Sequence, residues 1–133
     1  MGSIRKQIIT KASTHETWSA LCDVGALHTR LVPGFVVDTK LEADARIVTF
    51  GNGLVIRESI VAISDDMRRV VWSATTEQLK HYNGSAEVVT SGDGQTRVVW
   101  TADFLPDEAA PWIDSMMEQA ITVMRKTLDR LAQ

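Results

Sequence analysis

The segment from Pro111 to Leu131 limits the possible folds more than any other part of this chain. Ile113, Met116, Met117, Ala120, Ile121, Met124, Leu128 and Leu131 recur at three- and four-residue steps, and Asp114, Glu118, Arg125, Asp129 and Arg130 occupy the other side. That period belongs to an α-helix with one apolar stripe. At about 1.5 Å per residue the helix is roughly 30 Å long, and a stripe of that length has to be covered. Asp107, just after Pro106, is expected to cap its start, with Pro111 in or just before the first turn. No upstream segment offers a second helix of this length, so the cover is expected to be β structure.

The upstream residues supply it. Ser3 to Lys11 reads as a strand with Ile4 and Ile8 on one face and Ile9 on the other. Ser13-Thr14-His15-Glu16 is a capping box that opens a short helix carrying Trp18, Leu21 and Cys22 on its inner stripe. A second short helix, about Ala26 to Leu31, ends before Pro33-Gly34. Strands are then expected over Phe35–Leu41, Arg46–Phe50, Leu54–Ile63, Arg69–Thr76, Lys80–Thr90 and Thr96–Leu105. The turns between them, Gly51-Asn52-Gly53, Asp65-Asp66 and Ser91-Gly92-Asp93-Gly94, are short, so neighbouring strands should pair antiparallel. The order therefore predicts an α+β domain spanning residues 1–133: about seven antiparallel strands in a curved sheet wrapped around the long C-terminal helix, with two short helices after the first strand.

Composition narrows the function. Fourteen Lys and Arg against seventeen Asp and Glu leave a net charge of −3, which argues against a nucleic-acid partner. The single cysteine, Cys22, forbids an internal disulfide and fits a reducing, cytoplasmic setting. No run of apolar residues is long enough for a membrane helix. No P-loop, Gly-x-Ser-x-Gly elbow or His-Glu-x-x-His is present, and no three metal ligands cluster, so neither metal nor cofactor is expected. Gly51-Asn52-Gly53 starts like a dinucleotide fingerprint, but Ile56 stands where its last glycine belongs.

Four stretches in this order carry a family resemblance: Trp18 through Asp23, Val32-Pro33-Gly34, Ile56-Arg57-Glu58, and Val98 through Phe104 followed by Pro106. With them the chain resembles the START-like SRPBCC superfamily, the helix-grip proteins, in its polyketide cyclase/dehydrase-like branch. The resemblance implies a cavity between sheet and helix. It leaves the activity open, since that superfamily includes lipid carriers, receptors and cyclases. Many relatives place a tryptophan shortly before the Pro-Gly turn; here His28-Thr29-Arg30-Leu31 stands in that region.

Period two puts Val98, Trp100, Ala102 and Phe104 on one face of the last strand and Tyr82, Gly84, Ala86 and Val88 on one face of its neighbour. Trp72 shares a face with Val70 and Ala74. The expected ligand-binding wall is therefore Trp72, Tyr82, Trp100 and Phe104 opposite Ile113, Met116, Met117 and Met124, with Gly84 and Ala86 leaving room beside Trp100. Large aromatics, small residues and pliable methionines suit an adaptable apolar site, and the same residues also suit a packed core. Glu58 shares phase with Leu54, Ile56 and Ile60, but both faces of its strand carry apolar residues, so it either enters the groove or is solvated. An inward carboxylate must become neutral or find a cation. Glu58 and His28 are the candidate proton-transfer groups.

Three functions follow as expectations. The first is binding or carriage of a small hydrophobic or aromatic ligand, lipid or polyketide-like. The second is a cyclase or dehydratase using a cavity acid or base. The third is a protein-interaction module, homodimerisation included, through Val55, Val61 and Val99 on outer strand faces.

Overall fold

The computed structural model describes residues 1–132. Seven strands, β1 (Gly2–Thr10), β2 (Val36–Glu42), β3 (Ala45–Phe50), β4 (Val55–Ser64), β5 (Arg69–Ala74), β6 (His81–Thr90) and β7 (Thr96–Leu105), form one sheet. Its order is β1-β7-β6-β5-β4-β3-β2, and every pairing is antiparallel. After β1 the chain leaves the sheet for helix α1 (Thr14–Cys22) and returns at the opposite edge as β2. The remaining strands then follow one another back to β1 through short turns. Gly53 and Gly94 take φ of +92° and +83° in two of those turns, where a side chain would be strained. A register shift between Ile60 and Ala62 marks a bulge in β4, the kind of irregularity that bends a strand and deepens a sheet's twist.

Helix α2 (Ala110–Asp129) lies on the inner face, with Ile113, Met117, Ala120, Met124 and Leu128 buried at three- and four-residue steps. Its polar ties to the sheet all run to the β1 edge among the described residues. Lys6 Nζ contacts Asp114 and Glu118, each at 2.7 Å. Asp129 Oδ1 accepts from Thr10 Oγ1 at 2.7 Å and from the Lys11 backbone N–H at 2.8 Å. No described helix is long and apolar enough to cross a membrane.

The capping box forms as expected: Ser13 Oγ accepts from the Glu16 N–H at 3.0 Å, and Glu16 Oε1 accepts from the Ser13 N–H at 3.1 Å. Trp18 donates its indole N–H to Asp65 at 3.0 Å, tying α1 to the β4–β5 turn. Four local expectations need correction. The second short helix is a single π-helical turn over Leu27–Leu31, closed by the Val32 N–H on the Leu27 carbonyl at 2.9 Å. Asp107 does not cap α2. The chain enters that helix through a 3₁₀ turn (Asp107–Ala109), and the Asp107 carboxylate pairs with the N-terminal ammonium at 3.0 Å instead. Leu131 leaves the buried stripe because α2 has ended before it, and it stands 42% exposed. Val55, Val61 and Val99 do not abut: Val99 lies on β7 between Gln7 and Glu87, with β5 and β6 separating it from β4.

Candidate ligand-binding site

The inner face of the sheet does not close fully on α2. A cavity of about 110 Å³ remains between β2–β7, α2, α1 and the π turn. Trp72, Tyr82 and Trp100 line it from the sheet, and Ile113, Met116, Met117 and Met124 line it from the helix. Phe35, Leu79 and Trp112 add to the wall, with Trp112 36% exposed at the first turn of α2. The volume falls below the roughly 300–1,000 Å³ of drug-sized sites. It approaches the roughly 150 Å³ void that accepts benzene. The wall therefore suits a guest of about one ring, and methionines can give way for somewhat more.

Gly84 serves this wall differently from the expectation that it leaves room beside Trp100. A Cβ there would lie 2.4 Å from the Trp72 ring, so the indole is laid over the bare glycine backbone. Cross-strand register sets Trp72 against Gly84 and Trp100 against Ala86. The two indoles meet at 6.4 Å between centroids with a 45° tilt. Small residues on β6 thus seat the tryptophans of its neighbours, and the remaining space lies between those rings and the helix.

Within the apolar wall sits one polar cluster. Glu58 points inward and is 7% exposed, and its register partner on β3 is Arg46, 5% exposed. Arg46 Nε donates to Glu58 Oε1 at 2.8 Å, and its Nη1 donates to the Val24 carbonyl at 3.3 Å. The guanidinium carbon also stands 5.3 Å from the centre of the Trp72 ring, a cation–π contact. Of the two ways to bury a carboxylate, this chain uses the ion pair. The Tyr82 phenol lies nearby. Burial pushes its pKa well above the usual 10.0, and the charge of Glu58 adds to the rise, so the phenol stays protonated. Trp100 Nε1 is buried without any hydrogen-bond partner.

Two candidates fall outside the cavity. Phe104 is fully buried in a separate cluster with Leu79, Ala102, Ile113 and Met117, its ring tucked against Gly2. It faces inward as its phase requires, but it lies at the strand end that α2 and the β1 terminus cover. His28 belongs to the π turn, where its Nδ1 meets Thr39 Oγ1 on β2 at 3.1 Å, and it is absent from the cavity wall. Glu58 and His28 therefore do not form one acid–base pair across the cavity. Arg46 is the residue that sequence reasoning missed. Its signal was available, since Arg46 alternates with Val48 and Phe50 and so shares their inward face.

The model of a family described as polyketide cyclase/dehydrase and lipid transport matches residues 1–133. Among solved structures, the chain is similar to the protein XoxI from Bacillus cereus, with a TM-score of 0.86 and 16% identity, covering 100% of this chain and 99% of that one. A START superfamily protein from Mycobacterium smegmatis gives a TM-score of 0.73 at 12% identity, covering 96% and 94%. Norcoclaurine synthase from Thalictrum flavum, solved with dopamine and hydroxybenzaldehyde, gives 0.74 at 16% identity, covering 98% and 85%. At such identities these likenesses concern the fold. No curated protein matches the sequence.

Proposed function

This chain belongs to the polyketide cyclase/dehydrase and lipid transport family, and from that premise we propose that it binds a small hydrophobic or aromatic ligand in the cavity between sheet and α2. The observation that carries this reading is the apolar void of about 110 Å³ with its polar groups gathered in one place. Affinity would come from apolar burial, at about 25 cal/mol per Å². The cluster of Arg46, Glu58, Tyr82 and Trp100 would orient the polar end. Calorimetric titration with single-ring aromatics should give saturable binding with a negative heat-capacity change. Ala86→Leu, which pushes the Trp100 ring from its seat into the cavity, should abolish it. Absence of saturation across such a set would remove this reading.

The cyclase-type alternative has one observation in its favour: the Glu58 carboxylate and the protonated Tyr82 phenol belong to the same cavity wall. On that reading Glu58→Gln would end turnover of a bound substrate while leaving its affinity nearly intact. Turnover that survives the change would leave binding alone.

A further inference from the structure

The polar cluster is unevenly satisfied. Glu58 and Arg46 hold each other, and Arg46 has a further tie to the Val24 carbonyl. Trp100 Nε1 has no partner, although it is a buried donor. An indole nitrogen only donates, so an oxygen acceptor is what completes it. Tyr82 and Trp100 line the same cavity. A phenol is a donor as well as an acceptor, so its proton can be offered to a guest. A carbonyl oxygen has two lone pairs and can take both donors.

The charges act in the opposite sense on an anion. Arg46 is already engaged by Glu58, and both are almost fully buried. A guest carboxylate would bring a second negative charge beside Glu58 in a medium that screens it poorly. It would also lose its hydration without gaining an uncommitted cation.

Building on the binding reading above, we propose that the Tyr82 hydroxyl and Trp100 Nε1–H form a two-donor site for the carbonyl oxygen of a neutral, ring-sized ketone, and that the Arg46–Glu58 pair rejects the matching carboxylate. The cavity thereby selects among molecules of equal size by the charge and acceptor strength of a single oxygen.

Three probes of similar shape test this: acetophenone, ethylbenzene and benzoate. Acetophenone should bind about tenfold or more tightly than ethylbenzene, a ratio worth about 1.4 kcal/mol, and benzoate should bind weakest. Tyr82→Phe and Trp100→Phe should each erase most of the acetophenone-to-ethylbenzene affinity ratio, whatever they do to the affinity for either probe alone. A ketone preference that survives both changes, or benzoate binding that equals acetophenone binding, overturns the proposal. Should either variant fail to fold, the wild-type indole resonances decide. The Trp100 Nε1–H signal should move downfield with acetophenone and stay nearly fixed with ethylbenzene, and an unmoved signal at ketone saturation overturns the proposal. Ethylbenzene binding without discrimination would defeat the donor site and spare the binding reading; no binding of any probe would defeat both.

Discussion

Arg46 and Glu58 face each other across β3 and β4 with almost no access to water, so neither tolerates loss of the other. Arg46→Met should destabilise the fold by about 3–5 kcal/mol, because it leaves a buried carboxylate unpaired. The double change Arg46→Met with Glu58→Leu should recover most of that loss. Urea unfolding of the wild type and of both variants measures both statements. Tyr82 is the only tyrosine, which makes its titration directly visible by ultraviolet absorbance. Its folded pKa is raised above the ordinary 10.0, so its stabilising contribution is complete below that value and is lost as pH climbs through the folded pKa. Tyrosinate absorbance should therefore appear only well above pH 10, together with alkaline unfolding. Among these residues, inward phase was readable for Trp72, Tyr82 and Trp100, because small and apolar neighbours flank them at period two. Which inward residues border the cavity was not readable. Phe104 and Trp100 share a phase and differ only in what α2 places above them.

At the scale of elements, the capping box and the C-terminal clasp hold the two helices. Ser13→Ala removes the acceptor for the Glu16 N–H and should cost about 1 kcal/mol, within a range of roughly 0.5–2. A lowered denaturant midpoint at unchanged slope would register it. Asp129 is opposed by partial burial, but the hydrogen bonds from Thr10 and Lys11 draw its pKa below the ordinary 3.8. A depressed carboxyl stabilises the fold above its unfolded pKa and ceases to do so as pH falls through the folded one. Asp129→Asn should therefore cost roughly 1 kcal/mol at neutral pH, the usual scale of a partly exposed charge-assisted hydrogen bond, and progressively less as pH falls through the folded pKa. Acid-side thermal melts of both proteins check this. The strands, their turns and the long helix were legible in sequence because period and turn chemistry agreed over long stretches. The π turn was not. Its five-residue closure depends on where β2 and α2 hold Leu27 and Leu31, and nothing local to Leu27–Leu31 distinguishes it from an α-helical turn. The same holds for the start of α2, where the N-terminal ammonium competes for Asp107 from the other end of the chain.

For the whole molecule, occupancy of the interior should register as stability. A ligand present at 100 times its Kd adds about 2.7 kcal/mol, which for a chain of this size raises Tm by roughly 10 °C. Differential scanning calorimetry with a saturating single-ring ketone tests this, and an unmoved transition would contradict it. The architecture also bears on how volume is adjusted. Lys6, Thr10 and Lys11 are the polar points at which α2 grips the sheet, and all lie along one margin of it. The polar anchorage of the helix is thus one-sided. The side of α2 that faces the cavity is instead lined by methionines, so a bulkier guest there meets side chains that can repack rather than a hydrogen bond that must break.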